Sequence, residues 1–380
     1  MDFSFTSEQE TLRAHLQELL DEVCPAEYAE RCDREAHPPR EAYQALAKHG
    51  WFGLILPVEY GGTGGSPVEL AILLEETGRH FEELAMWLFR TLTYGGYAVM
   101  LHGSREQKEA LLPKVVRGEL SFCFGLTEPQ AGSDAAALTT RATAVNGGYV
   151  INGQKVFTSG MDISDYCLLV TRTSTGEKKQ QGITNFLVDT KLPGIEIRKI
   201  ETLGHRAIGT TQVFYTDVKV PASAVLGEVD HGWDAVDSYL WYERLCLSAA
   251  RTGAAAAAFE YALEYAKTRK QFGRPIGQFQ AISHKLADMK VMLDVSRMLV
   301  YRFAWLMSQG KATRHDAAVV KLYTGETYKT VSDLGLQILG GYGYCMEFPM
   351  QRFFRDSRLA TIGAGTSEIQ RNIIARGLGL

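Results

Sequence analysis

Glu243 is the residue whose placement most directly suggests chemistry. In "DAVDSYLWYERLCLSAARTG", Val236, Leu240, Glu243 and Leu247 are spaced 4, 3 and 4 apart and share one helical stripe. A carboxylate thus interrupts an apolar face. Burial without a partner disfavours its charged form and raises its basicity, the usual arrangement of a general base. An edge glutamate reaching solvent or pairing with an arginine is the structural alternative. In "SFCFGLTEPQAGSD", Thr127 and Ser133 flank Pro129, Ala131 and Gly132 in a loop after an apolar strand. Hydroxyls and backbone N–H groups converging on one point suit a polar ring or a phosphate, and an ordinary turn has the same composition.

In "KVFTSG", Phe157 offers a flat ring and Ser159 a hydroxyl two residues later on the same strand face. That pair can hold a flavin or a nucleobase, and alternating strands also produce it by chance. "TRKQFGRPIGQFQ" places Arg269 beside Phe272 with Gln280 beyond, a phosphate contact next to a stacking ring; singly, Arg269 reads as a solvated helix end. "LQILGGYGY" joins Gln337 to Gly340, Gly341 and Gly343, small enough for a ligand to approach the backbone. It lacks the strand-then-helix setting of a dinucleotide fingerprint. "TIGAGTSEIQR" has three near-minimal side chains, Gly363, Ala364 and Gly365, directly before Thr366, a good helix start.

Three segments must position these groups. Residues 1–120 read as helical: Leu12, Leu16, Leu19 and Leu20 follow Ser7 as a cap, and "PVELAILLEETGRH" begins another helix after the glycine loop "LPVEYGGTGGSP". Residues 121–226 change period. "NGGYVINGQKVFTS" alternates around two Asn-Gly turns, and short strands rich in Val, Ile, Thr and aromatics follow. No strand–helix alternation appears, which predicts an antiparallel sheet or barrel. Residues 227–380 are helical, with breaks at "RKQFGRPIGQ" and "ILGGYGYCMEFP". The class is α+β, with a β lobe between two helical ones.

The 380 residues exceed one comfortable hydrophobic core, in line with three lobes. A net charge of -4 gives no support to nucleic-acid binding or an anionic membrane surface. No run of 18 apolar residues marks a membrane span, and "MDFSFTSEQE" does not read as a leader. Six cysteines without a CxxC pair read as buried reduced thiols, not metal ligands, so the expectation is a cytoplasmic protein without a metal.

Taken in order, "SEQETLR", "LPVEYGG", "LTEPQAGSD", "NGQKVFTSG", "LGHRAIGTTQVFYTDVKVP", "TRKQFGRPIGQFQAISHKLADM", "QILGGYGY" and "IGAGTSEIQRNIIAR" resemble the acyl-CoA dehydrogenase family from about Phe3 to the end. The resemblance implies an N-terminal helical domain, a middle antiparallel β domain and a C-terminal four-helix bundle, assembled as a homotetramer. It implies non-covalent FAD, with Thr127 and Ser133 on the flavin ring and pyrophosphate. Phe157 would stand against the isoalloxazine in place of a frequent Trp, and Ser159 would replace a Thr near the reactive nitrogen. Arg269, Phe272, Gln280, Gln337 and Gly341 would reach the cofactor from a neighbouring subunit, and Thr366 and Glu368 would hold it near a helix start.

The implied reaction is α,β-dehydrogenation of an acyl-CoA thioester, with electrons passed to an electron-transferring flavoprotein. Many members carry the base as the Glu of a "YEGT" tetrapeptide; here the matching residues are Gly363, Ala364, Gly365 and Thr366, and Ala364 accepts no proton. A smaller set carries it on a helix in a Glu-Arg-Leu context, which "WYERLCL" matches, so Glu243 is the expected base. Ala364 would keep the backbone N–H that polarises the thioester oxygen, with Gly365 making room for substrate. Arg244 would contact the CoA portion or a structural acid. A helix-borne base suits a short, branched or bulky acyl group. The rivals are an enoyl-CoA reductase of the crotonobetainyl-CoA type, an oxidase or monooxygenase relative, and a non-catalytic binding or assembly protein.

Overall fold

The computed structural model describes residues 4–380. Met1 to Phe3, where the leader expectation and the start of the resemblance fall, lie outside the described residues. The chain opens with α1 (Ser7–Val23), α2 (Ala26–Glu35) and α3 (Arg40–Lys48). Thr6, not Ser7, caps α1: its hydroxyl accepts from the Gln9 N–H, and the Gln9 side chain accepts from the Thr6 N–H in return. The cap belongs to the residue with extended backbone, and Thr6 has φ -68° and ψ 163°. Then come α4 (Pro67–His80), α5 (Glu82–Arg90), α6 (Ala98–His102) and α7 (Arg105–Val116). Between α5 and α6, Thr91–Tyr97 continue the helix as a π segment, a widened turn that re-aims side chains.

The middle lobe is one eight-stranded sheet. Its strands are β1 (Phe122–Gly125), β2 (Arg141–Val145), β3 (Gly148–Ser159), β4 (Tyr166–Arg172), β5 (Ile183–Asp189), β6 (Ile195–Ile200), β7 (Thr210–Pro221) and β8 (Val225–Leu226). The order is β6-β7-β3-β2-β4-β5-β8, with β1 on β4. Most pairings are antiparallel, as expected, but β4 meets both β1 and β2 in parallel. Long connections allow those crossings, and the hydrophobic pattern does not encode them. Asn146-Gly147 makes the β2–β3 turn. Asn152-Gly153 instead lies inside β3, where the register with β7 shifts.

The C-terminal lobe packs α8 (Gly232–Thr268), α9 (Gln280–Ser308) and α10 (Arg314–Leu339) together, with α11 (Met350–Ala360) and α12 (Ser367–Gly377) against α10. Between α8 and α9 runs a small hairpin of β9 (Lys270–Gln271) and β10 (Arg274–Pro275). One apolar cluster joins the N-terminal helices, one face of the sheet and the first half of α8. A second fills the helical bundle, and a third lies within the sheet. Helices α4 and α8 approach backbone to backbone, since a Cβ on Gly78 or Gly253 would meet main-chain atoms of the other helix. Five of the six cysteines are buried and all are free; Cys345 departs from the expectation by being exposed, on the loop after α10.

Candidate active site

Glu243 lies in the first half of α8 and is buried. On its expected stripe, Val236 and Leu247 are buried as well. Burial pushes the Glu243 carboxyl up, while Arg244, the Tyr94 hydroxyl, Arg90 and Arg251 pull it back without cancelling the rise. Among the described residues its Oε2 has no hydrogen-bond partner. Tyr239, one turn earlier on α8, meets Tyr94 edge-on at 6.0 Å, and Phe124 stacks on Tyr94 at 4.6 Å. The carboxylate therefore faces aromatic rings and cations, with one oxygen uncommitted.

The stretch from Gly363 to Thr366 connects α11 to α12. Ala364 has φ +58° and Gly365 φ +83°. A left-handed conformation costs a residue with a Cβ about 1 kcal/mol, so the turn is held by its surroundings. The Gln370 side chain donates to the carbonyls of Ala364 at 3.2 Å and Gly365 at 3.0 Å. Lys321 Nζ donates to the Gly365 carbonyl at 2.5 Å. Burial pulls this ammonium down to about 7, with Arg251 and Arg244 adding repulsion and Glu243 opposing it. Lys321 thus ties the turn to the surroundings of Glu243. Among the described residues, the Ala364 N–H donates to no backbone acceptor. Proline could not test that N–H, because its fixed negative φ would break the turn itself.

In the middle lobe, Val156 N–H donates to the Thr127 carbonyl at 2.9 Å, which joins the loop after β1 to the end of β3. A buried ion pair fixes the same junction: Lys155 Nζ donates to Glu128 Oε1 at 2.8 Å and to the Leu126 carbonyl at 2.9 Å. Phe157 follows at a register shift with φ +58°, and the residue is 63% exposed. A large apolar side chain held in a strained conformation and left mostly open to solvent is free to stack on a bound ring. Ser159 is half-buried at the end of β3, and Ser133 is exposed on the loop.

Arg269, Phe272 and Gly341 converge on a groove of about 630 Å³ between the β9–β10 hairpin and the end of α10. Phe272 is 93% exposed with φ +52°, and the Arg269 guanidinium lies 5.5 Å from the Tyr342 ring. Gln280 begins α9 beside the groove-lining Phe279, and Gln337 is exposed near the end of α10. Thr366 is committed to capping α12, accepting from the Ile369 N–H at 3.2 Å, and Glu368 stands exposed in the first turn. Arg244 is buried, with Asp237 and Glu243 as its acidic neighbours and, among the described residues, no partner for Nε or Nη1.

The sequence patterns did not single out Arg90, Tyr94, Tyr239 or Lys321. A lone arginine within "LAMWLFRTLTYGGY" and a lone lysine within "AAVVKLYTG" interrupt apolar runs as Glu243 does, and that signal could have found them. The residues that fit FAD are the exposed Phe157 ring, the Thr127 loop and the open space at Gly132 and Gly341, where an added Cβ would meet nothing within 4 Å. Among the described residues no cluster of His, Cys, Asp or Glu could hold a metal, and no helix is long and apolar enough to cross a membrane.

Comparison with known proteins assigns the family. Residues 6–119, 123–218 and 230–379 match the N-terminal, middle and C-terminal domains of acyl-CoA dehydrogenase. The chain is 36% identical over 376 residues to the 3-(aryl)acrylate reductase of Clostridium sporogenes, covering 98% of this chain and 99% of that one. It is 33% identical over 372 residues to the caffeyl-CoA reductase-Etf complex subunit CarC of Acetobacterium woodii, covering 98% of each. The solved structure of butyryl-CoA dehydrogenase from Megasphaera elsdenii superimposes with a TM-score of 0.95 at 32% identity, covering 100% of both chains. The chain belongs to the acyl-CoA dehydrogenase family of FAD-dependent oxidoreductases.

Proposed function

We propose that this protein is an acyl-CoA dehydrogenase in which Glu243 removes the α proton of a thioester. The observation that carries the reading is the buried Glu243 carboxylate with one unpartnered oxygen, in a chain whose α11–α12 turn carries Ala364. An α C–H beside a thioester is weakly acidic, so its removal needs a base of raised pKa and stabilisation of the developing enolate oxygen. Burial supplies the first. The uncommitted Ala364 N–H serves the second, in a turn braced by Gln370 and Lys321. Tyr94, Phe124 and Tyr239 pack ring against ring beside the carboxylate, with the Tyr94 hydroxyl turned to it.

Thr127, Ser133, Phe157 and Ser159 hold the flavin end of FAD, with Thr366 and Glu368 near its phosphates. Bound FAD supplies the acceptor for the β hydride. The groove at Arg269, Phe272 and Gly341, with Gln280 and Gln337 beside it, receives the cofactor of a second copy in a homotetramer. The near-complete exposure of Phe272 supports that assignment. Arg244 directs its two free N–H groups at the CoA portion, and Gly365 leaves room for the thioester. Electrons pass to an electron-transferring flavoprotein in the cytoplasm.

A second reading runs the same site in reverse, as an enoyl-CoA reductase. Two relatives named as reductases support it, and a single carboxylate serves both directions by microscopic reversibility. Anaerobic mixing of the FAD-loaded protein with saturated acyl-CoAs, and of the reduced protein with enoyl-CoAs, tests both readings. Bleaching of the flavin by at least one saturated thioester is the expected result. Absence of any flavin change with either panel refutes the assignment.

A further inference from the structure

Helix α10 lies tight against the end of α11, since a Cβ on Gly325 would meet the Ala360 carbonyl at 2.7 Å. Lys321 is one turn earlier on the same face of α10, which carries its buried side chain to the turn between α11 and α12. Among the described residues its Nζ makes one hydrogen bond, to the Gly365 carbonyl at 2.5 Å, and no carboxylate oxygen lies within 4.0 Å. The charged groups facing it are Glu243, Arg244 and Arg251 of α8, Glu326 of its own helix and Glu368 of α12. A buried ammonium with a single carbonyl partner is costly unless an anion shares its surroundings. Glu243 fills that role at rest.

The turn that Lys321 holds is strained, with Ala364 and Gly365 both left-handed. The buried Gln370 donates to the carbonyls of the same two residues. Two buried side chains thus pin the peptides that follow Ala364, and with them the positive φ that sets where its N–H points. Removal of an α proton moves charge across this site without changing its sum. The C–H bond breaks, the proton goes to Glu243, and the electron pair passes to the thioester oxygen as the enolate. Lys321 touches the turn at one end and faces Glu243 at the other.

We propose that Lys321 is a positioning residue whose ammonium holds the Ala364 turn in place and balances the negative charge as it passes from Glu243 to the thioester oxygen. The inference rests on the Glu243 and Ala364 reading, and affinity measurements separate the two. Calorimetry on the FAD-loaded protein compares a 3-oxoacyl-CoA, whose acidic α C–H yields an enolate and whose β carbon has no hydride to give, with an S-alkyl-CoA thioether, which has no carbonyl oxygen. Both match in chain length the acyl-CoA that bleaches the flavin fastest. At about pH 6 the ammonium is charged, below the value of about 7 to which burial pulls it. The wild type should bind the 3-oxoacyl-CoA about 10-fold or more tightly than the thioether. Lys321→Met should lower that ratio by about 10-fold or more while thioether affinity and FAD content hold, and Lys321→Arg should restore part of it. The fraction of bound ligand present as enolate, read from its ultraviolet absorbance, should fall with the ratio.

An unchanged ratio in Lys321→Met overturns the proposal. If that variant loses FAD, Lys321→Gln, which keeps a donor without the charge, carries the same comparison, and an unchanged ratio there overturns it equally. Loss of FAD in all three variants, or an equal fall in affinity for both ligands, assigns Lys321 a packing role and also overturns it. A wild type that binds the two ligands equally refutes the Ala364 N–H reading itself, and the proposal falls with it.

Discussion

Replacing Lys155 with methionine tests how the Thr127 loop, proposed to face the flavin, is held. Lys155 is fully buried, the Glu128 side chain is 1% exposed, and the two meet at 2.8 Å. Glu128 also accepts from the Thr139 N–H and hydroxyl, the Thr140 N–H and the Gln130 amide. Burial alone would raise this carboxyl, but Lys155 and the hydrogen bonds outweigh it and hold it at about 2. The substitution removes the counter-charge and the bond to the Leu126 carbonyl, and leaves a buried carboxylate with four donors. Breaking a buried pair costs about 3–5 kcal/mol, and the surviving donors place this case near the lower end.

Urea unfolding of the FAD-loaded protein at neutral pH should show that loss, and FAD should be retained less well because the Thr127–Val156 junction loosens. The folded pKa lies below the ordinary 4.5, so the stabilisation from Glu128 is complete above 4.5 and is lost as pH falls toward about 2. The gap between wild type and variant should close over the same range. A loss below about 1 kcal/mol with full FAD retention would refute the reasoning.

Two other perturbations probe the remaining strained or buried groups. Phe157→Gly removes a left-handed, mostly exposed residue from β3, so unfolding in the absence of FAD should be unchanged or about 1 kcal/mol more favourable to the fold. FAD affinity should drop several-fold, and unchanged affinity would contradict a stacking role. Burial pushes Glu82 up to about 8, with Asp356 adding to the rise and Arg251 opposing it. Its folded pKa lies above the unfolded 4.5, so its contribution is complete below 4.5 and is lost as pH rises through about 8. Glu82→Gln should flatten that dependence, whose slope is at most about 1.4 kcal/mol per pH unit; an unaltered slope in urea midpoints across the window would assign it to another group.

The helical stripe of Glu243 was legible because a period of 3.6 converts spacing into facing, and burial of Val236 and Leu247 follows from the same arithmetic. The Ala364 turn was legible through its small residues, though the positive φ of Ala364 itself was not, since alanine rarely adopts it. Partners across the chain were hidden. Nothing local in "TLTYGGY" announces a π segment, and Arg90 and Tyr94 acquire meaning only when that helix lies against α8. The Glu128–Lys155 pair spans 27 residues and exists only once β3 crosses the loop after β1. The parallel pairing of β4 with β1 is likewise a property of topology. Local pattern specifies faces, and the fold decides which faces meet.

The most direct measurement is the rate of anaerobic flavin bleaching by the fastest acyl-CoA in Glu243→Gln, beside its FAD content. The account predicts that the variant keeps FAD and loses bleaching by about 1,000-fold or more, as removal of a general base requires. A variant that still bleaches at close to the wild-type rate would place the base elsewhere and contradict the central claim.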